Sequence, residues 1–315
     1  MLTIVGLPIG GVLLLGLIIR LAVFLPFAPK PRPTLDVDRT VIVQQIDASN
    51  RADHADILLI GDSSCLMNID AALLSEISGK RVTNLGTLSF LDIHTFSRLL
   101  RNYLSNQTKE PATIIFLAHP DFVRKKSSSR AHLETFDFYI NQKDHAYGYL
   151  APWDPRRLLG THIVDGRFLS RIPIPLSGSF GQFYGFTTEL MEFMNLHNGS
   201  AIDPRRLQVD DLTGSTDYRV AKFHSRQAPD LTSAIPTSAK LYLGLTPVPE
   251  SFPEGDFRVE YDRLLQDWSA AFTNALSLGK LPPTLDDAAF ATKTHLTGKA
   301  AKEYTRILFE QIKNQ

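Results

Sequence analysis

A three-layer α/β/α fold around a mainly parallel sheet, of flavodoxin-like type, is what this sequence predicts. Two observations predict it. Short, continuous apolar runs alternate with amphipathic segments along residues 55–117, at a spacing that suits strand, helix, strand, helix, strand. The runs are bounded by turn residues and carry no polar alternation, as strands buried on both faces do.

Residues 57–60 (ILLI) form the first expected strand and lead into Gly61, Asp62, Ser63 and Ser64. A helix is expected over 69–77 and a second strand over 81–85, which runs into Gly86. Residues 91–104 place apolar side chains at 93, 96, 99, 100, 103 and 104, the stripe of an amphipathic helix. A third strand is expected over 113–117 and a fourth over 241–245. The segment 256–278 repeats apolar residues at helical spacing and reads as one long helix packed on the sheet. A last helix is expected over 299–312. The region of about 124–235 is rich in Pro, Gly, Ser and aromatic residues and reads as a long irregular insertion over a site. Residues 36–55 read as a helical or mixed connector.

The N-terminus has a different character. Leu2 to Ile19 is uncharged, and after Arg20 the run LAVFLPF continues to Phe27. About 18 apolar residues reach the threshold for spanning a bilayer. A membrane anchor over 1–28 is expected, followed by a linker and connector over 29–54 and an α/β domain over 55–315. A cleaved signal peptide is the rival reading, but the segment offers neither a basic start nor a small-residue cleavage site. Lys30 and Arg32 after the span favour a cytoplasmic body by the positive-inside rule alone.

Composition narrows the function classes. The 315 residues are 43% hydrophobic and 21% charged, with zero formal net charge, an ordinary globular balance. That balance offers no basic footprint for nucleic acid. A single cysteine, Cys65, allows no internal disulfide and no Cys-rich metal site. The nine histidines include no closely spaced ligand pair, and neither a P-loop nor a dinucleotide fingerprint is present. No cofactor and no metal are expected.

Ligands of open parallel sheets bind beyond the carboxyl ends of the strands. The residues there are GDSS at 61–64, NLG at 84–86, AHPD at 118–121 and Thr246-Pro247. THLTG places His295 just before the last helix. A serine in a turn after a buried strand is exposed at the sheet's end, but its hydroxyl needs a base. A histidine distant in sequence can supply one. Ser63 is the candidate nucleophile and His295 the candidate base. Gly86, Ser64 and His119 are candidates for the oxyanion or substrate contacts. Plainer readings stand beside these: Ser63 as a helix cap, Gly86 as a turn residue, His119 as a structural histidine and His295 as a surface one; separately, Ser64 as the operative hydroxyl in place of Ser63.

On GDSS, NLG and THLTGKAAKEYT, in that order, the chain resembles the SGNH (GDSL-type) hydrolase superfamily over about 55–315. It looks especially like the membrane-anchored branch associated with acylation of cell-surface polysaccharides. The resemblance implies a serine esterase or O-acyltransferase acting on carbohydrate esters. It also implies a body outside the membrane, in the periplasm or cell exterior, and other envelope polysaccharide proteins as partners. Two positions depart from the pattern. Thr292 stands where the family carries an Asp three residues before its histidine. Pro120 stands where it carries the Asn of its third block. Either Asp286 or Asp287 is expected to reach round as a third member, or a backbone carbonyl to orient the ring in a Ser–His dyad. The departures also admit a scaffold that binds or assembles without catalysing.

Overall fold

The computed structural model describes residues 11, 14, 37–120, 122, 129–141, 175–176, 178–203, 205, 231–252, 257–272 and 275–314. Helix α1 (Val37–Ser49) leads into β1 (Ile57–Gly61), α2 (Ser63–Asn68), α3 (Ala71–Ser78), β2 (Val82–Asn84), α4 (Ile93–Ser105) and β3 (Thr113–Ala118). Then come α5 (Arg130–Asn141), α6 (Gly178–Tyr184), α7 (Thr187–Leu196), β4 (Lys240–Leu245) and β5 (Val248–Pro249). The chain closes with α8 (Phe257–Ala271), β6 (Ala275–Ser277), β7 (Thr284–Leu285), a 3-10 turn (Asp287–Ala289) and α9 (Gly298–Lys313).

The main sheet has the order β2-β1-β3-β4-β6, and every neighbouring pair is parallel. The predicted parallel α/β architecture is therefore present. Strand order reverses at β1, because the chain steps outward to β2 and then returns past β1 to β3. With right-handed crossovers, that reversal sends α2 and α3 to one face and α4 to the other. Packing agrees with this. Phe116 of β3 meets Phe96 of α4 at 5.8 Å and Trp268 of α8 at 5.1 Å between ring centroids, both edge-on. Helix α9 returns to pack with α2 and α3. The run Leu58-Leu59-Ile60 is fully buried between β2 and β3, so its lack of alternation has a plain cause.

The helix ends are locally specified. Asp92 accepts the Thr95 N–H at the start of α4, and Thr297 accepts the Ala300 N–H at the start of α9. Helix α3 begins on Asp70, whose carboxylate accepts the Ala72 and Leu73 N–H groups, and stops at Gly79 in the left-handed region.

Two expected elements differ. The helix expected over 69–77 is α3, which begins at Ala71, and a further short helix, α2, precedes it across extended backbone at Ile69-Asp70. The helix expected over 256–278 ends at Ala271, and residues 275–277 form β6 instead, pairing with Leu241–Leu243 of β4. Ala275 and Leu276 continue the helical period by coincidence. The unpaired edge of β4 offers them a ladder, and tertiary pairing overrides the local pattern.

The expected anchor at 1–28 lies outside the described residues apart from Gly11 and Leu14. Among the described residues, no helix is long and apolar enough to cross a membrane. The connector expected over 29–54 contains α1, and the described parts of the expected insertion contain α5, α6 and α7.

Candidate functional site

The site begins where β1 ends. A Cβ on Gly61 would fall 1.7 Å from the Leu117 carbonyl oxygen of β3, so only glycine lets the two strands meet here. The next residue, Asp62, is fully buried and caps α2. Its Oδ1 accepts the Ser64 N–H at 2.9 Å and the Ser64 hydroxyl at 2.6 Å. Its Oδ2 accepts the His119 N–H at 3.0 Å, joining the ends of β1 and β3. Burial pushes the Asp62 carboxyl above its ordinary range, against the pull of these hydrogen bonds.

This cap decides which serine faces the site. Ser64 turns inward, where its hydroxyl donates to Asp62 and accepts from Thr246 Oγ1 at 2.9 Å. Ser63 turns the other way and stays half-buried. Its Oγ lies 3.1 Å from His295 Nε2, a hydrogen bond that joins residues 232 apart in sequence. Among the described residues the Ser63 N–H, on the first turn of α2, donates to no acceptor.

His295 sits in a tight turn. Its carbonyl accepts the Ala291 N–H at 2.8 Å and the Thr292 N–H at 3.2 Å. Its Nδ1 lies 3.0 Å from Thr292 Oγ1, and that oxygen also accepts the His295 N–H at 3.2 Å. With the Nδ1 proton donated to Thr292, Nε2 is left unprotonated toward Ser63. Thr292 is 4% exposed, so this contact is shielded from water.

Asn68, the last residue of α2, braces the same turn. Its Oδ1 accepts the Leu296 N–H at 2.8 Å and its Nδ2 donates to the Thr294 carbonyl at 3.2 Å. The helix that starts on Ser63 thus ends by gripping the backbone on both sides of His295. Asn68 was not singled out by the sequence, because a lone Asn at a helix end carries no periodic or motif signal.

Ser63 and His295 are brought together, and several other candidates are not. Asp286 accepts the Ala288 N–H at 2.7 Å and Asp287 accepts the Ser251 N–H at 3.0 Å. Among the described residues neither carboxylate bonds His295, and Thr292 Oγ1 lies at its Nδ1. The Gly86 N–H donates to Asn84 Oδ1 at 2.7 Å, so in this structure it is committed. A Cβ on Gly86 would lie 2.6 Å from the Leu66 nitrogen, which makes this glycine a packing contact against α2. Ser64 has its hydroxyl occupied as described. His119 is 3% exposed with its N–H held by Asp62, and among the described residues no hydrogen bond joins it to Ser63.

Asn84 is a second brace. Fully buried, it donates to the Cys65 carbonyl and to Ser200 Oγ, each at 2.9 Å. Cys65 is itself buried, and burial pushes its thiol well above the ordinary range, which makes it a packing group and not a nucleophile. Among the described residues no three His, Cys, Asp or Glu side chains group as metal ligands. No protein-family model matches this chain, and no curated protein matches it.

Proposed function

We propose that the protein is a serine-dependent esterase or O-acyltransferase acting on carbohydrate esters at the cell envelope. The observation that carries this reading is the 3.1 Å approach of Ser63 Oγ to His295 Nε2 at the carboxyl end of a parallel sheet. In the reaction, Ser63 Oγ bonds to the acyl carbonyl carbon while its proton passes to His295 Nε2. The developing oxyanion accepts the Ser63 N–H. Collapse of the tetrahedral intermediate breaks the ester C–O bond, and the leaving alcohol takes the proton from Nε2. Water or a sugar hydroxyl then gives its proton to Nε2 and attacks the acyl carbon; the acyl C–Oγ bond breaks, Ser63 Oγ takes the proton back from Nε2, and acid or acylated sugar is released. An apolar N-terminal anchor would hold this body at the membrane, on the outer side.

The test is labelling of the full-length chain with a fluorophosphonate, and hydrolysis of p-nitrophenyl acetate, beside Ser63→Ala. Labelling at Ser63 and loss of hydrolysis in the variant are expected. Equal rates with no label at Ser63 would remove the enzyme reading.

A second reading is an SGNH-like scaffold that binds or assembles within an envelope polysaccharide machine. Thr292 favours it, since a hydroxyl behind the imidazole brings no negative charge to balance an imidazolium. The committed Gly86 N–H favours it as well.

A further inference from the structure

Helix α1 has a direction that bears on where Ser63 faces. Its last residue, Ser49, meets the end of α4: Asn102 Nδ2 donates to Ser49 Oγ at 2.7 Å and Asn106 Nδ2 to the Ser49 carbonyl at 3.4 Å. Its first turn lies at the other end of the body. Asp38 Oδ2 is 2.9 Å from His132 Nε2, and the His132 ring stacks on Phe90 at 5.0 Å between centroids. Phe90 belongs to the loop from β2 to α4, whose Thr87 N–H donates to the Gly61 carbonyl at 2.9 Å, two residues before Ser63. Helices α1 and α4 therefore run the same way, and both start at the end of the sheet that holds Ser63 and His295.

Partway along α1, Gln45 Nε2 donates to the Gly86 carbonyl at 2.6 Å, just past β2. Asp38 stands two turns earlier, about 10 Å further out along the helix. The chain thus enters α1 from beyond the carboxyl end of the sheet. Residues 29–36 alone separate α1 from the expected anchor, and a stretch of that length reaches at most about 29 Å. Helix α1 is itself about 20 Å long. Running back along it to the opposite end of the body would use up most of that reach. Phe90, 40% exposed, puts an aromatic ring at the near end, the kind of side chain that settles in a lipid interface.

Resting on the anchored reading above, we propose that the Ser63–His295 end of the body faces the bilayer, and that the ester reaching Ser63 comes from the lipid side. The partner is a lipid surface, and the substrate class is an acyl ester presented at that surface.

Fluorescence quenching of the full-length chain in phosphatidylcholine–phosphatidylglycerol vesicles tests the orientation. Cys65 is buried, so a fluorophore goes onto an introduced thiol, at His94→Cys or Ser105→Cys, both exposed positions. These mark the two ends of α4, about 16 Å apart. Unchanged urea midpoints will show the variants folded. A nitroxide on the lipid headgroups is expected to quench the label of His94→Cys several-fold more strongly than that of Ser105→Cys. Equal quenching, or stronger quenching in Ser105→Cys, in chains that float with the vesicles would overturn the orientation. A chain that fails to float has no anchor, and the proposal falls with it. The substrate has its own probe, a fluorophosphonate carried on a lipid of the same vesicles, which is expected to label Ser63 in the wild type. Labelling by a soluble fluorophosphonate alone would overturn the lipid-side ester and leave the serine reading intact. Labelling by neither would remove the serine reading and the lipid-side ester together, while quenching alone decides the orientation.

Discussion

Asn68 holds His295 by the backbone: its amide bonds the Leu296 N–H and the Thr294 carbonyl, one residue to either side of the imidazole. Nucleophile and base therefore share one rigid connection, the six residues of α2. Asn68→Ala leaves a buried N–H and a carbonyl unpaired and is expected to cost about 1–3 kcal/mol. Loosening the turn should also lower kcat by about 10²-fold for a shift near 1 Å. Urea midpoints and p-nitrophenyl acetate kinetics read the two effects. An Asn68→Ala variant as fast as the wild type would show that the turn holds itself.

Thr292 gives the second prediction. Its Oγ1 sets the orientation of His295 without supplying charge. Thr292→Val removes the acceptor for Nδ1 and is expected to lower kcat by about tenfold, with little change in KM. Thr292→Asp restores a carboxylate behind the ring and is expected to raise kcat by about tenfold. A rate that falls in both variants would mean that the hydroxyl is specifically required.

Asp62 predicts a pH dependence. Burial holds its carboxyl above the ordinary carboxylate range, so the native state keeps this proton to a higher pH than the unfolded chain does. The stability it contributes is complete below about pH 4 and is lost as pH rises through the folded pKa. The stability difference between wild type and Asp62→Asn should therefore shrink on going from pH 4 to pH 7. Urea midpoints of both proteins across that range give the answer, and a difference that widens with pH would reverse the assignment.

Gly86 carries a steric prediction. The methyl of Gly86→Ala would press on the Leu66 backbone nitrogen and on Asn84 Oδ1, at 2.6 and 2.8 Å. Backbone cannot swing aside as a flexible side chain can, so a loss of about 1–3 kcal/mol is expected in thermal or urea unfolding. An unperturbed variant would mean that α2 has room to move.

The sheet was legible because its strands are buried on both faces. Runs such as ILLI and TIIFLA have no reason to alternate, and they stand out against their surroundings. Ser63 and His295 were legible for a related reason: each follows or precedes a regular element at the end where ligands gather. What failed to show was whatever depends on a partner far away in sequence. Strand β6 exists because β4 has a free edge, which a local helical period cannot reveal. Asn68 matters only through contacts more than 200 residues away, at a separation of 228 for Leu296. Gly86 was read as a candidate oxyanion contact, and its N–H bonds the side chain of the neighbouring Asn84. Asp286 and Asp287 were close in number to His295 but had backbone amides of their own to cap.

The 232 residues between Ser63 and His295 have a consequence for the protein's birth. The serine leaves the ribosome well before the histidine and the helix α9 that follows it. A nascent chain thus carries a hydroxyl with no base beside it, and a nick that removes the C-terminal segment returns the mature chain to that state. Clipping before residue 291 and adding the missing peptide back in trans would expose the dormant form and its rescue directly.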